Sequence, residues 1–344
     1  MKVVAITGEK KVQIIDIDQP TPKPGELLIK IKSCALCTWE QRVYTGVSKM
    51  QFPFVGGHEI AGEIVELGEG VDPQEFKIGS RAAVRILNKC GTCYYCRHGE
   101  ENLCPHVNKL LLEGPEAYGM GGLGEFICVD TSKVWIYPKE IGFDEIALTE
   151  PLACVLNSME KGKPQIADDV VIIGGGIMGM LHLMCAKLCG ARVIFSEPDD
   201  LRRKFAQELG CDVAINPLQE DPVQAVRDLT DGRGADVVFN TTAIPAVAEQ
   251  AVQMTGNLGR FVMYSSQHPD HPIQISPNWL HNSEAILTGA VSPSVQSFDR
   301  AVRSIAKKLI DVRQLISGTF DYTHADEAFR EAVKPDTYRI IINF

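Results

Sequence analysis

Long apolar runs, blocks of positive charge and low-complexity segments are all missing from this sequence of 344 residues. Its longest apolar stretches are broken by glycine or charge well before the roughly 18 residues that a membrane-spanning helix needs. The first segment, Met1 to Asp18, alternates like a strand and lacks the apolar core of a secretory signal. We therefore expect no membrane span and a cytoplasmic location.

The lack of blocks of Lys and Arg also argues against certain binding partners. The formal net charge is −10 and no run of Lys or Arg exceeds a few residues, so neither a nucleic acid nor an anionic membrane surface is expected as a partner. The composition, 45% hydrophobic and 23% charged, is that of an ordinary globular protein. Because a single hydrophobic core stops growing at about 250–300 residues, the length predicts two domains.

Cysteine, in contrast, is abundant, with 11 residues. A secreted disulfide scaffold would be shorter and rich in loops, so this count favours a metalloprotein with reduced thiols. Cys90, Cys93, Cys96 and Cys104 follow the spacing C-x2-C-x2-C-x7-C, which suits a tetrahedral Zn²⁺ held by four thiolates. Four protein ligands leave no open position, so we predict a structural zinc in a loop over residues 88–106. An iron–sulfur cluster, which uses the same ligands, is the alternative.

The pattern of apolar residues changes near residue 152. Before it, short alternating runs such as Glu26–Lys32, Glu63–Leu67 and Arg81–Ile86 stand between Pro/Gly turns, which is typical of a β-barrel or sandwich. After it, apolar strands alternate with helices, which predicts a doubly wound parallel sheet of the α/β class. The strand candidates here are 169–174, 192–196, 235–240, 259–264 and 285–289. The tail predicts one amphipathic helix over about 298–310 and a closing strand over 338–343.

A glycine-rich turn, Gly174 to Gly179, matches G-x-G-x-x-G between an apolar strand and an apolar helix. Such glycines let the backbone approach a pyrophosphate, and the helix N-terminus supplies free N–H groups. Glu197, at the end of the next strand, can accept hydrogen bonds from a ribose diol, which favours NAD as the cofactor. NADP stays an alternative because of Arg202 and Arg203, since arginine can hold a 2′-phosphate. A turn that binds no cofactor is the alternative. The predicted cofactor-binding residues are Gly174, Gly176, Ile177, Met178, Gly179, Glu197 and Arg202.

Three further features lie far apart along the chain: Cys37, the run Gly57–Gly62, and Glu150–Pro151. The run Gly-His-Glu-Ile-Ala-Gly, followed by Gly68 and Val71, resembles the zinc signature of the medium-chain alcohol/polyol dehydrogenase family. The four-cysteine loop and the glycine-rich turn stand in that family's order. The resemblance therefore covers essentially the whole chain.

This resemblance implies two domains. A GroES-like, β-rich catalytic domain would occupy residues 1–152 and be completed by 293–344. A Rossmann NAD-binding domain would occupy residues 153–292, with the active site in the cleft.

The resemblance also implies a second, catalytic zinc. Cys37 and His58 would be ligands together with the carboxylates of Glu59 and Glu150, because the branch that resembles sorbitol and threonine dehydrogenases carries Glu where other members carry Cys. A catalytic zinc normally keeps three protein ligands and one open position, so one Glu should be displaceable. Glu59 is the preferred constant ligand and Glu150 the alternative. The zinc would act as a Lewis acid while a hydride passes between an alcohol carbon and NAD.

The chain departs from the family after its first zinc cysteine. The family usually continues with Gly, then Ser or Thr, then Asp, whereas here Cys37 is followed by Thr38, Trp39 and Glu40. The usual hydroxyl relay for the alcohol proton is thus absent. We hypothesise that Thr38 replaces it, with Glu40, Glu150 or ordered water as alternatives. Trp39 either shapes the substrate pocket, where its indole N–H can donate, or is a packing residue.

Arg42 stands where the family usually has a relay histidine. A guanidinium near the pocket would favour a carboxylate or phosphate on the substrate. The alternative is a solvated or structurally paired arginine.

Together these observations predict a zinc-dependent oxidoreductase that transfers a hydride between the CH–OH carbon of an alcohol and NAD. The substrate would be a polyol, a sugar, or a hydroxy or amino alcohol. A zinc-independent reductase of the same superfamily and a non-catalytic NAD-binding protein are the alternatives. The expected partner is a small-molecule alcohol or carbonyl compound, and the family implies a homodimer or homotetramer. The other histidines are expected to be surface or local hydrogen-bonding residues: His98, His106, His182, His268, His271, His281 and His324.

Overall fold

The computed structural model describes residues 1–108, 110–114, 116–267 and 269–344. His268, one of the histidines named above, lies outside these ranges. The chain divides into two compact units: unit 1 is Met1–Ala153 with Ser294–Phe344, and unit 2 is Cys154–Pro293. Among the helices of the described ranges, none combines the length and apolar character that crossing a bilayer requires.

The strands and helices are numbered in chain order. The strands are β1 Lys2–Gly8, β2 Lys11–Asp16, β3 Glu26–Ala35, β4 Phe54–Val55, β5 Glu59–Leu67, β6 Arg81–Val84, β7 Leu112–Glu113, β8 Tyr118–Gly119, β9 Phe126–Asp130, β10 Val134–Tyr137, β11 Asp169–Ile173, β12 Arg192–Ser196, β13 Val213–Ile215, β14 Ala235–Asn240, β15 Thr255–Met263, β16 Ile286–Gly289, β17 Ile316–Asp321 and β18 Arg339–Asn343. The helices are α1 Thr38–Tyr44, α2 Tyr94–Arg97, α3 Phe143–Ala147, α4 Thr149–Gly162, α5 Ile177–Leu188, α6 Asp200–Glu208, α7 Pro222–Leu229, α8 Pro245–Met254, α9 Pro277–Ser283, α10 Val295–Ala306 and α11 Ala325–Ala332.

Unit 1 is rich in strands, as predicted, and holds two sheets. The larger sheet, of 7 strands, has the order β10-β6-β5-β3-β18-β17, with β9 paired to β3. The smaller sheet has the order β2-β1-β4-β8-β7. The apolar residues of these strands and of α11 fill one core that includes Ile29, Phe54 and Phe329, all fully buried. Through the register of the larger sheet, Ala35 pairs with Glu59 on one side and with Ile341 on the other, which brings β18 close to the start of β5.

Unit 2 is a parallel sheet of 6 strands with the order β13-β12-β11-β14-β15-β16. Numbered from β11, this is the order 3-2-1-4-5-6 of a doubly wound Rossmann sheet, and it confirms the predicted fold class. β11 is buried along its whole length, because helices cover both faces of such a sheet. Val171 of β11 lies in the core of unit 2 together with Ile194 and Phe261.

The tail of the chain differs from the prediction of one helix and one strand. The helix expected over 298–310 is α10, which begins earlier because the Ser294 side chain accepts a hydrogen bond from the Ser297 N–H. β17 and α11 were not predicted. β17 contains Gly318 and has no fully buried residue, and α11 has only 8 residues, so neither has a periodicity long enough to identify.

Candidate metal centres and nucleotide site

The thiol of Cys37, the imidazole of His58 and the carboxylate of Glu59 come together in unit 1, with ligand atoms all within 4.8 Å of one another. Cys37 lies just before α1, and Glu59 begins β5. The chain between them is turned by Gly57, whose φ is +89°. A Cβ there would lie 2.5 Å from backbone atoms of Gly122 and Leu123, so no other residue fits this turn.

His58 is held by Glu40. The Nδ1–H of His58 donates to Oε1 of Glu40 over 2.8 Å, and the same oxygen accepts the Gly57 N–H over 3.0 Å. Burial disfavours the imidazolium, but the charges of Glu40 and Cys37 outweigh it and hold the pKa of His58 well above its usual range. With Nδ1 engaged, Nε2 is the nitrogen that can bind a metal, which is the usual arrangement of a metal-ligating histidine.

Glu59 forms a buried ion pair with Arg339 of β18. The guanidinium donates from Nε over 2.9 Å and from Nη2 over 2.5 Å, one bond to each carboxylate oxygen. Both side chains are at most 2% exposed. Burial, the largest cause, and the carboxylate of Glu150 raise the pKa of Glu59, Arg339 and His58 lower it, and the net shift is upward. A carboxylate has about four lone-pair sites, so this bidentate pair leaves Glu59 able to bind a metal as well.

The structure places the other predicted residues of this site around the cluster rather than within it. Glu150 is in the first turn of α4 and is near enough to act on Glu59, but it does not belong to the described group of converging ligand atoms. Thr38, the first residue of α1, is exposed. Trp39 packs on Phe54, with ring centroids 5.4 Å apart.

These donors fit a zinc ion. A tetrahedral zinc with bonds of about 2.0–2.3 Å holds its ligands roughly 3.3–3.8 Å apart, and the three donor atoms here are already within 4.8 Å of one another. Thiolate, imidazole and carboxylate are the ligand types that zinc prefers. Three protein donors leave one position for a displaceable ligand, which is the arrangement of catalytic rather than structural zinc sites.

The sulfurs of Cys90, Cys93, Cys96 and Cys104 also converge in unit 1. The Sγ–Sγ distances are 3.4 Å from Cys93 to Cys96, 3.6 Å from Cys104 to Cys90 and 4.0 Å from Cys90 to Cys96. Zn–S bonds of about 2.3 Å in a tetrahedron require roughly 3.8 Å between sulfurs. Backbone N–H groups of Thr92 and Cys93 lower the pKa of Cys90 to about 5, which favours the thiolate that binds metal. The four sulfurs thus fit a zinc with no open position.

The glycine-rich turn in unit 2 connects β11 to α5, as the pattern requires. Gly174 has φ +100°, and a Cβ on Gly179 would lie 1.8 Å from the Gly174 carbonyl oxygen, so both positions need glycine. Gly176 caps the helix, and Ile177 and Met178 form its first turn. The free N–H groups of this turn are suited to a pyrophosphate.

Glu197 follows β12, 5% exposed. Its Oε2 accepts the Gly175 N–H and its Oε1 accepts the Asp199 N–H over 2.9 Å, so the carboxylate lies directly beside the glycine turn. The neighbouring Arg203 donates to the Glu197 carbonyl over 2.6 Å and pairs with Asp200. Arg202 is in the first turns of α6, where its N–H donates to the capping Asp199.

Two residues that organise the first metal cluster were not predicted in these roles. The sequence suggests Glu40 only as a proton carrier. Its position three residues after Cys37 nevertheless indicates a place beside the metal cluster, because that spacing puts it one helical turn from the ligand. Arg339 gives no such signal, since it is 280 residues from Glu59 and reaches it only through the sheet register.

Comparison with known proteins gives matches over most of the chain. The family model described as "Alcohol dehydrogenase GroES-like domain" matches residues 23–139, and the model described as "Zinc-binding dehydrogenase" matches residues 178–307. The L-threonine 3-dehydrogenase of Pyrococcus horikoshii is 36% identical over 75% of this chain and 74% of its own length. The 2-dehydro-3-deoxy-L-galactonate 5-dehydrogenase of Pseudoalteromonas atlantica is 30% identical over 94% of this chain and 92% of its own length.

A solved structure adds a full-length match. An alcohol dehydrogenase from Escherichia coli CFT073, crystallised with NADH, has a TM-score of 0.89 and 26% sequence identity. The match covers 100% of this chain and 99% of that chain.

Proposed function

Because the chain belongs to the zinc-binding alcohol dehydrogenase family, and is therefore an oxidoreductase that acts on alcohols, we propose that Cys37, His58 and Glu59 hold its catalytic zinc. The reaction is transfer of a hydride between the CH–OH carbon of the substrate and NAD. The observation that carries this proposal is the convergence of the three donor atoms within 4.8 Å. Cys90, Cys93, Cys96 and Cys104 hold a second zinc, which is structural.

The residues of the catalytic site have separate tasks. When bound, zinc supplies a Lewis acid that lowers the pKa of the substrate hydroxyl. Cys37 and Glu59 each contribute one negative charge, and the Arg339 guanidinium offsets that of Glu59. Glu150, which lies outside the converging group, would be the displaceable carboxylate of the site. Glu59 is then the constant ligand.

The nucleotide is bound by unit 2. The N–H groups of the turn from Gly174 to Gly179 receive the pyrophosphate, and Ile177 and Met178 contribute the first helical turn. Glu197 accepts hydrogen bonds from the ribose hydroxyls and repels a 2′-phosphate, so NAD is preferred to NADP. Arg202 lies on the neighbouring helix α6. The nicotinamide ring supplies the hydride acceptor.

The proton of the alcohol leaves through Thr38. Its hydroxyl is exposed and immediately follows the ligand Cys37, and a positioned proton carrier contributes about 10²–10⁴-fold to the rate. Thr38→Val should lower kcat by about 10²-fold and change its pH profile, whereas Thr38→Ser, which keeps the hydroxyl, should not. An unchanged pH profile in Thr38→Val would assign the proton to Glu40, Glu150 or water.

The side chain of Arg42 supports a proposal for the class of substrate. Its side chain is partly buried, and within the residues that the structure describes its guanidinium has no hydrogen bond or ion pair. Arg42 lies four residues after Thr38 and therefore on the same face of α1, and long helical side chains extend toward the helix N-terminus, which here is the metal end. The substrate is thus an alcohol that also carries a carboxylate or phosphate. Both relatives named above have names that denote carboxylates, threonine and a galactonate.

The substrate class is tested with matched compounds. Arg42→Gln should lower kcat/KM for L-threonine, hydroxy acids or a polyol phosphate by about 10- to 100-fold, because a hydrogen bond to a charged group contributes about 1.5–3 kcal/mol. The wild type and Arg42→Gln should have equal kcat/KM for the uncharged polyol that corresponds to the polyol phosphate. Equal losses with charged and uncharged substrates would make Arg42 a structural residue.

The dehydrogenase assignment itself is tested by metal content and turnover together. Wild-type chains should contain two zinc ions and reduce NAD with an alcohol substrate. His58→Ala should contain one zinc and lose at least about 10³-fold in kcat/KM, since a Lewis acid contributes several kcal/mol. Full activity in His58→Ala would favour a zinc-independent reductase. NAD binding without turnover of any alcohol in the panel would favour a non-catalytic protein.

We also propose names for the parts of the chain. The GroES-like catalytic domain is residues 1–152 with 293–344, and the Rossmann domain is 153–292; the division into two units after Ala153 and Pro293 supports these boundaries. A homodimer or homotetramer is supported by the edge strand β16, which pairs with β15 alone among the described strands. The 11 cysteines, all free thiols, support the cytoplasm as its location.

A further inference from the structure

The carboxylate of Glu40 is completely buried yet uses only one of its oxygens. Oε1 accepts both the His58 Nδ1–H and the Gly57 N–H. Oε2 has no hydrogen-bond partner among the described residues. The position of this carboxylate, and with it the orientation of His58, therefore depends on those two bonds and on the walls around the side chain.

Gly56 forms the nearest of these walls. A Cβ at residue 56 would lie 2.7 Å from Cγ of Glu40 and 3.3 Å from its Oε1. The first distance is closer than carbon atoms of neighbouring side chains approach, since favourable contacts lie at about 3.5–4.0 Å. Gly56 is not among the glycines with positive φ, so the backbone would accept alanine. What excludes a side chain at residue 56 is the methylene of Glu40.

We infer that Glu40 and Gly56 form a matched pair that positions His58 as a metal ligand. Glu40 holds Nδ1 in the protonated form and so presents Nε2 to the metal, and Gly56 leaves the space that the Glu40 side chain requires. Glu40 is a positioning residue in this scheme, because it acts through His58. The inference rests on the proposed zinc site at Cys37, His58 and Glu59.

Zinc retention is the main test. Gly56→Ala should release the catalytic zinc to a competing chelator about 10- to 100-fold faster than wild type, which is the usual effect of losing a partner that orients a metal ligand. Glu40→Ala should have a similar effect. In Glu40→Ala/Gly56→Ala the methylene is gone and the nearest remaining atom to the added methyl group is Cε1 of Phe54 at 3.4 Å, so zinc should leave no faster than from Glu40→Ala alone. The zinc of the four-cysteine loop, measured in His58→Ala, is the internal reference.

Two controls separate positioning from folding. Gly8→Ala is the matched glycine variant in the same unit, since a Cβ there meets only a Lys11 side-chain atom at 3.6 Å, and it should retain zinc like wild type. If Gly56→Ala does not fold, comparison of Glu40→Ala with the double variant still tests the pair, because the proposed conflict is absent from both.

A second readout follows His58 directly. In protein labelled with ¹⁵N-histidine, the spectrum of the zinc-loaded wild type should contain one Nδ1–H signal that disappears in His58→Ala and shifts in Glu40→Ala. Additive effects of the two substitutions on zinc release, or an unshifted His58 signal in Glu40→Ala, would overturn the inference. A wild-type chain that binds only the four-cysteine zinc would instead contradict the proposed function.

Discussion

The buried pair of Glu59 and Arg339 joins the metal cluster to the closing strand β18. Each charge is at most 2% exposed, and Nη1 of Arg339 has no partner among the described residues. A buried ion pair adds little net stability, because desolvation offsets the attraction, but removing one partner leaves an unpaired buried charge. The burial of both groups therefore makes this pair costly to break.

We expect Arg339→Met to lower the free energy of unfolding of unit 1 by about 3–5 kcal/mol, because Glu59 would remain buried without its counter-charge. Native-state hydrogen exchange of the β3 and β18 amides measures unit 1 separately. Glu59→Gln/Arg339→Met should recover at least half of the loss. Arg303→Met, which breaks an exposed pair with Asp299, should change the stability by less than about 1 kcal/mol.

His182 is a buried histidine whose hydrogen bonds are satisfied locally. Its Nδ1–H donates to the Met178 carbonyl over 2.7 Å and its Nε2 lies 2.9 Å from the Ser158 hydroxyl. The expectation of local hydrogen bonding holds for this residue, although its ring is completely buried. Burial disfavours the charged ring and lowers its pKa to about 4.

His182 should make unit 2 less stable in acid. The unfolded ring binds a proton near pH 6.5, whereas the folded ring does so only near pH 4. Stability is therefore full above pH 6.5 and declines as the pH falls toward 4, by up to about 3 kcal/mol. His182→Gln should flatten this part of the profile, as measured by hydrogen exchange in unit 2. The exposed His281→Gln should leave it unchanged, and an equal slope in both variants would contradict this account.

At the level of elements, the unit β11–turn–α5–β12 was predictable from sequence because its signals are local. Gly174 and Gly179 stand in a fixed pattern, and the acidic residue follows one strand later. β17 and α11 were not predictable, because their positions are set by contacts with β18 and not by their own periodicity. The same distinction applies to the metal cluster: the ligand motif could be recognised by resemblance, whereas Arg339 could be found only from the sheet register.

The position of Glu197 beside the glycine turn leads to a prediction about cofactor choice. Glu197→Ser should reduce the preference for NAD over NADP, as a ratio of kcat/KM values, by about 10- to 100-fold, because it removes hydrogen bonds to a charged group and the repulsion of a 2′-phosphate. The matched control is Asp200→Ser, which removes an exposed carboxylate three residues away and should leave the ratio unchanged. A constant ratio in Glu197→Ser would show that other residues select the cofactor.

At the scale of the whole molecule, the exposed edge of the parallel sheet is the feature on which the proposed homo-oligomer depends. Among the described strands β16 pairs only with β15, and an edge strand of this kind pairs readily with another strand. Three apolar side chains at or near this edge are exposed: Ile286 by 42%, Leu280 by 38% and Val291 by 56%. An apolar edge of this kind is suited to an interface between two copies of the chain.

We expect Ile286→Lys to weaken the proposed homo-oligomer, because a lysine on an edge strand opposes strand pairing. Light scattering after size-exclusion chromatography should show a lower mass at equal concentration. Leu218→Lys, at a site that is 80% exposed in unit 2, should leave the mass unchanged. A wild-type monomer, or the same mass in Ile286→Lys, would place the interface elsewhere or exclude it.

The distance of 280 residues between Glu59 and Arg339 sets an order of events during synthesis. The ribosome completes residues 90–104 early, so the four-cysteine loop, which is the proposed structural site, can capture a zinc ion while translation continues. The cluster of Cys37, His58 and Glu59 lacks the Arg339 guanidinium, which balances the charge of Glu59, until β18 emerges and docks beside β3. The proposed catalytic zinc should therefore be retained only after that strand is in place, and a nascent chain stalled before residue 339 should carry the proposed structural zinc alone.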